Sequence, residues 1–364
     1  MMKKEHITAA LFILLLGGLC LANFLHTPPE ISQSERRRLR TIPPLTAQSV
    51  WDGQYMSDFD RYASDAFVAR DGFRSVKAAF SRYVWLQTDN HDLFIRDGSA
   101  AQLTRLDEAA AETAADKITR LASRLPESSR FYYAVIPDKG FYMQGFPKAD
   151  YARLDALLSG RLGPMTAIGL RDVMGLEDFY RTDLHWDQSR LSRRVLPRLT
   201  DALGVPMDDG LYAEEIGPFQ GAYAGQVALP MPTDSLTVLR SPAIDGLTAR
   251  YLDAQTGQWK DGPVYNAGHI SGIDPYDVFL EGAQPLIVLD NPSAATDREL
   301  VLFRDSFGSS LAPLLASSYR RVTVADMRYI PDQMLFMLLE AGEDADVLFL
   351  FGLQSINISA TWRA

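Results

Sequence analysis

The sequence predicts an α/β protein with a mainly parallel sheet, carried behind one membrane-crossing helix at its N-terminus. Three observations support this. Ile7 to Leu25 is a run of nineteen residues without a charge. From about residue 107, helix-period and strand-period segments alternate. In the last third, Pro285–Leu289, Glu299–Phe303, Arg321–Val324 and Asp346–Phe351 are short β-rich runs separated by helical or loop stretches, as parallel strands of an α/β sheet would be.

Taken in chain order, the first element is the apolar run. At 1.5 Å per residue it spans roughly 28 Å, enough for a hydrocarbon core. It is longer than the h-region of about 7–15 residues of a cleavable signal, which favours an uncleaved signal anchor over residues 1–27. Arg36, Arg37, Arg38 and Arg40 outnumber Lys3 and Lys4, and by the positive-inside rule this would keep the large domain in the cytoplasm. The Lys-Lys start followed by one apolar run is instead the layout of an exported protein, and the large domain is expected outside. Pro28, Pro29, Pro43 and Pro44 around the arginines make residues 28–50 an extended tether.

Residues 51–364 are expected to form one domain. Asp107–Leu125 is an Ala-rich helix stopped by Pro126, and Phe131–Ile136 is a buried strand ending at Pro137. Asp187–Leu203 is a helix N-capped by Asp187, kinked at Pro197 and ended by Gly204. Residues about 205–282, rich in Gly and Pro, are expected to form an irregular insertion with short strands, facing the substrate.

Composition narrows the chemistry. The chain of 364 residues has 36 Lys+Arg against 46 Asp+Glu, a net charge of −10, so a nucleic-acid partner is not expected. At 47% hydrophobic and 23% charged, it has the composition of a globular protein. A single cysteine, Cys20 inside the apolar run, excludes an intrachain disulfide framework and a multi-cysteine zinc site. Phosphate-loop, dinucleotide-binding, metalloprotease and calcium-loop patterns are missing, so neither a cofactor nor a metal is expected.

With His6 and His26 flanking the apolar run, a histidine base in the outer domain must come from His91, His185 or His269. His185 has the most suggestive neighbour. Asp183, two residues before it, can accept the Nδ1–H, fix the tautomer and leave Nε2 free; taken alone, an Asp-x-His loop could equally cap the following helix. Ser306 follows the Glu299–Phe303 strand and precedes a helix-like stretch, the crevice in which open α/β sheets hold their sites. Free N–H groups there can stabilise an oxyanion, and Gly308 would let a substrate approach the backbone. Ser306 could otherwise serve only as an N-cap. Asn291 is either an oxyanion contact or a turn before Pro292. Trp186 is either a sugar-stacking ring or a buried aromatic. His269, in a Gly-rich loop, is the rival base.

Thr182–Trp186 (TDLHW) and Phe303–Ile330 (FRDSFGSSLAPLLASSYRRVTVADMRYI) resemble the DHHW protein family, which is related to the SGNH-hydrolase-like domains of alginate O-acetyltransferases. Ser34–Leu39, Asp58–Arg74, Ile136–Met143 and Tyr276–Gly282 match in the same order, so the resemblance covers nearly all of the chain beyond the apolar run. Leu184 stands where the family motif has its first His. The resemblance implies an SGNH-hydrolase-like three-layer fold, with Asp183 as orienting acid, His185 as base and Ser306 as nucleophile. Arg328 matches a position that resembles a substrate- or oxyanion-supporting arginine, and an ion pair with Asp326 or Asp305 is the other reading.

The activity implied is O-acyl transfer, of acetyl groups in the family's manner, to an extracellular polysaccharide or cell-wall glycan, or hydrolysis of such esters. The implied partners are the membrane, a glycan substrate and a membrane-bound O-acyltransferase that supplies acyl groups. The alternative is a non-catalytic glycan-binding or assembly protein. The separation of His185 from Ser306 discriminates the two.

Overall fold

The computed structural model describes residues 4–90, 92–339 and 341–363; His91 lies outside them. The chain divides into two compact units, Met1–His91 with Ala224–Pro230, and Asp92–Tyr223 with Met231–Ala364.

In the first unit, α1 (Lys4–Leu25) is the apolar helix, and none of its side chains is buried. The stretch expected as an extended tether is partly folded. Ile31–Ser32 pairs antiparallel with Arg37–Arg38, and Leu39 N–H donates to Glu30 O at 2.8 Å. Arg37 finds partners here, while Arg38 and Arg40 stay exposed. Arg37 forks onto both carboxylate oxygens of Asp65, at 2.8 and 2.5 Å, and Arg70 reaches Glu35 at 2.6 Å. Asp65 closes α2 (Gln54–Ala66), and Arg70 opens α3 (Arg70–Tyr83). The hydrogen bonds of Arg37 hold the Asp65 carboxyl down at about 2, against the cost of burial.

The second unit is framed by an eight-stranded sheet. Its parallel half contains β1 (Arg130–Ile136), β2 (Thr166–Ala167), β8 (Glu299–Arg304), β9 (Arg321–Ala325) and β10 (Asp346–Gly352), in the spatial order β9–β8–β10–β1–β2. Phe303 of β8 lies between Ala325 of β9 and Phe349 of β10. The middles of β8 and β10 are apolar because both faces are covered. Leu300, Leu302, Leu348 and Leu350 pack on one side with α7 (Val195–Leu203) and α8 (Phe307–Ala316). Val301, Phe303, Val347 and Phe349 pack on the other with α4 (Glu108–Ala122) and α5 (Tyr151–Arg161). The result is three layers, helices on both faces of a sheet.

Three expectations are corrected. Pro285–Leu289 becomes β7 (Leu286–Asp290), but it runs antiparallel to β9, with Leu286 opposite Ala325. Only residues 291–298 separate it from β8, too few for the crossover of about a dozen residues that a parallel connection requires. The single kinked helix over Asp187–Leu203 is two helices, α6 (Gln188–Leu191), N-capped by Asp187, and α7. Pro197 lies in the first turn of α7, where a missing N–H costs nothing.

The insertion is more regular than its composition suggests. It holds an antiparallel hairpin, β3 (Tyr212–Phe219) with β4 (Asp234–Arg240). It also holds β5 (Thr248–Leu252) and β6 (Trp259–Gly262), which continue the main sheet antiparallel beyond β7.

β1, β8 and β10 end side by side at one edge. The residues that follow β1 and β8, Lys139 and Ser306 among them, belong to the site described next.

Candidate active site

The loop between residues 180 and 185 is closed by its own backbone. Tyr180 N–H donates to His185 O at 3.1 Å, and Asp187 N–H to Asp178 O at 2.8 Å. Within it, Asp183 Oδ1 lies 3.0 Å from the His185 amide nitrogen and 2.6 Å from His185 Nδ1. Its Oδ2 accepts the Ala222 N–H at 2.8 Å. Asp183 is fully buried. An ionised carboxylate can only accept, so Nδ1 carries the proton and Nε2 is left as the acceptor. Ser306 Oγ is 2.8 Å from that Nε2. The Asp–His–Ser relay drawn from sequence spacing is therefore a contiguous hydrogen-bonded chain, and its serine is partly solvent-accessible.

Ser306 is not the side-chain cap of the helix it precedes. Asp305 takes that role: its Oδ1 accepts the Phe307 N–H at 3.1 Å, and its Oδ2 accepts the Gly352 N–H at 2.7 Å. Asp305 thus ties the start of α8 to the end of β10. The Ser306 hydroxyl is left for His185, and its N–H has no protein acceptor among the described residues. The His185 ring stacks on Tyr276, centroids 3.8 Å apart and nearly parallel, and meets Phe307 edge-on at 5.0 Å. Tyr276 and Trp186 both donate to Ser310 Oγ at 2.8 Å. Trp186 is a fully buried aromatic and presents no face for a sugar.

Other expected residues are placed differently. Asn291 is not at the site: it donates to Ala316 O and Ser317 O at the C-terminal end of α8, ten residues and about 15 Å along the helix from Ser306. It follows an antiparallel strand, so it lies at the opposite edge. Gly308 does not open the backbone to a substrate. A Cβ there would lie 2.5 Å from Arg304 Cβ, so the glycine lets α8 start against β8. Arg328 takes the ion-pair reading, holding both oxygens of buried Asp326 at 2.8 and 2.7 Å, while Arg304 reaches Asp326 at 3.2 Å. His269 pairs with Glu281 at 2.7 Å and has no contact with Ser306.

The loop also has supports that sequence reasoning missed. Lys139, just after β1, is buried, and its ammonium donates to the carbonyls of Tyr180, Arg181 (2.9 Å) and Asp183 (3.2 Å). Burial pushes it down to about 7, with the charges of Asp183 and Asp234 pulling upward. Asp234 receives the N–H groups of Arg181 and Thr182 at 3.0 and 2.8 Å. Gly221 N–H donates to Thr182 Oγ1 at 2.8 Å, in a place where a Cβ would lie 2.3 Å from Thr182 O. Lys139 and Tyr276 stand in segments that carried the family resemblance, and that was their only sequence signal. A polar cleft of about 670 Å³ is lined by Tyr180, Arg181, Asp187 and Asp234, and none of Asp183, His185 and Ser306 lines it. Among the described residues, no three His, Cys, Asp or Glu side chains converge to hold a metal ion.

Neither a protein-family model nor a curated protein sequence matches the chain. Solved structures do. A DHHW family protein from Eubacterium siraeum superposes with a TM-score of 0.61 at 17% identity, covering 76% of this chain and 96% of that one. Bacillus cereus PatB1 gives 0.56 at 15% identity, covering 73% and 97%, and its sulfonyl adduct gives 0.58 at 15% identity, covering 74% and 97%. The chain has their fold. The SGNH-hydrolase-like α/β architecture implied by the motif order is thus present, with one N-terminal helix, α1, long and apolar enough to cross a membrane.

Proposed function

We propose that the protein is an exported, membrane-anchored O-acyltransferase acting on a glycan hydroxyl, with Ser306 as nucleophile, His185 as base and Asp183 as orienting acid. The observation that carries this reading is the unbroken Asp183–His185–Ser306 hydrogen-bond chain, at 2.6 and 2.8 Å, at the carboxyl edge of the sheet. A binding protein that had lost its chemistry would have no need to keep that geometry.

Ser306 Oγ attacks the carbonyl of an acyl donor while His185 Nε2 takes its proton. The imidazolium that forms is stabilised by Asp183, which remains ionised. The Ser306 N–H, at the N-terminal end of α8, supplies a donor to the developing oxyanion. Collapse expels the donor's leaving group, which receives the proton from His185, and leaves acyl-Ser306. A glycan hydroxyl then attacks the acyl carbonyl, His185 takes the hydroxyl proton, and the proton returns to Ser306 as the ester departs. Water in place of the glycan gives hydrolysis.

The donor is taken to be a membrane-bound O-acyltransferase, as the family resemblance implies, with acetyl as the group moved. Arg328 remains an oxyanion- or substrate-supporting residue only if it exchanges its Asp326 partner on binding.

The test uses full-length protein in detergent with 4-nitrophenyl acetate as donor and a glycan oligosaccharide as acceptor. Ser306→Ala is expected to lower release of nitrophenol by at least about 10³-fold with an unchanged melting temperature. Wild-type turnover in that variant would remove the mechanism.

A further inference from the structure

We propose that α3 lies in the headgroup layer of a lipid bilayer, with Phe73, Val76, Phe80 and Tyr83 directed into the acyl-chain boundary. Spacings of three, four and three residues put these side chains on one face of the helix. They are 50, 67, 46 and 71% exposed, whereas Ala78 and Ser81 on the far side are 2 and 3% exposed. In this unit Asp65 is buried and Glu35 half-buried in ion pairs, with Arg37 and with Arg70 and Arg74 respectively, while aromatic rings stand on the exterior. Phe67 extends the apolar face before α3, edge-on to Phe73 at 5.5 Å. Trp85, edge-on to Phe80 at 5.0 Å, and Leu86 extend it beyond.

Two observations select lipid as the occupant. The first is continuity. Asn23 Oδ1, in the last turn of α1, accepts the Val68 N–H at 2.8 Å, so the turn leading into α3 is tied to the end of the one helix among the described residues that is long and apolar enough to cross a membrane. A face joined to that helix end meets the bilayer surface where the helix leaves it. The second is composition. Tyr83 and Trp85 are the side chains that favour the membrane–water boundary. In a chain of net charge −10, α3 carries Arg70, Arg74, Lys77 and Arg82 against Asp71 alone, the bias that anionic headgroups attract. A helix of this kind sits with its apolar face about 5–10 Å into the boundary region. The inference rests on the membrane-anchor reading of α1 but not on acyl transfer.

The test uses full-length Cys20→Ser protein in nanodiscs of phosphatidylethanolamine and phosphatidylglycerol. Spin labels are placed singly on Val76→Cys, Phe80→Cys, Ser75→Cys and Leu14→Cys, and collisions with oxygen and with a water-soluble nickel chelate are measured. The oxygen-to-nickel ratio at positions 76 and 80 is expected to exceed that at 75 several-fold. A ratio at 76 and 80 equal to that at 75 would show this face in water, and low access to both reagents would show it covered by protein; either result overturns the proposal. Leu14 reports α1 separately. Oxygen access at Leu14 with nickel access at 76 and 80 keeps the anchor and removes the lipid-facing stripe. The reverse pattern supports the stripe and removes the anchor.

Discussion

Lys139 has three N–H donors, and the loop that carries the relay turns three carbonyls toward it. Each of those carbonyls, left unpaired in a buried place, would cost about 1–3 kcal/mol, so the loop and the lysine hold each other. In the proposed mechanism Lys139 would act as a positioning residue: it touches the backbone at Asp183, two residues before His185. Lys139→Met is expected to lower kcat by about 10–100-fold on a chromogenic ester, with KM nearly unchanged, because misplaced groups slow chemistry without removing a substrate contact. A rise in KM with kcat intact would place the lysine in substrate binding instead. At this scale the sequence was legible where chemistry is local. Asp183 and His185 are two residues apart, and Ser306 follows an apolar strand. Lys139, Asp234 and Gly221 were illegible because each meets a loop that is distant in sequence, and Asp305 because its second partner, Gly352, is brought near only by folding. Asn291 shows the opposite error: a polar residue after a strand drew an active-site reading, although that strand runs the wrong way.

The strand–turn–helix from Glu299 to Ala316 is the element on which the proposed chemistry would depend. Asp305 caps it, which releases the Ser306 hydroxyl, and Gly308 lets the helix begin against Arg304. Gly308→Ala places a methyl group against the Arg304 stem, 2.5 Å from its Cβ, and must shift one or the other. The expected cost is about 1–3 kcal/mol in thermal unfolding, with esterase turnover falling by more than stability alone explains, because Ser306 is two residues away. The β8 and β10 strands were readable from their unbroken apolar runs, which only a doubly covered sheet requires. The direction of β7 was not, since an apolar run carries no orientation; the short loop to β8 held that information. Pro197 was read as a kink because its place relative to the helix start depended on the break at Ser192–Arg194, which no local signal marked.

Across the whole molecule, the first unit is held by charge and the second by packing. The Arg37–Asp65 pair predicts how the first unit responds to acid. Asp65 titrates near 2 when folded against 3.8 in its ordinary state, so the folded form binds the proton less readily. The stabilisation is present above about 3.8 and is lost as pH falls toward 2. Asp65→Asn should cost roughly 1 kcal/mol at neutral pH, the guanidinium being partly exposed. Melting curves of wild type and variant should converge as pH is lowered through that window; a gap that widens would contradict the pairing. The proline-rich composition of residues 28–50 concealed this unit, because what folds the stretch is Asp65 and Arg70, far along the chain.

Ser306, as a nucleophile activated by His185, should be open to a direct chemical probe. PatB1, which shares this fold, has been determined as a sulfonyl adduct, and a sulfonyl fluoride is the natural probe. Intact-mass measurement of the full-length protein after treatment with such a probe should show one added sulfonyl group, mapped by peptide fragmentation to Ser306 and missing in both Ser306→Ala and His185→Ala. Labelling that persists in Ser306→Ala, or that is as fast in His185→Ala as in wild type, would contradict it.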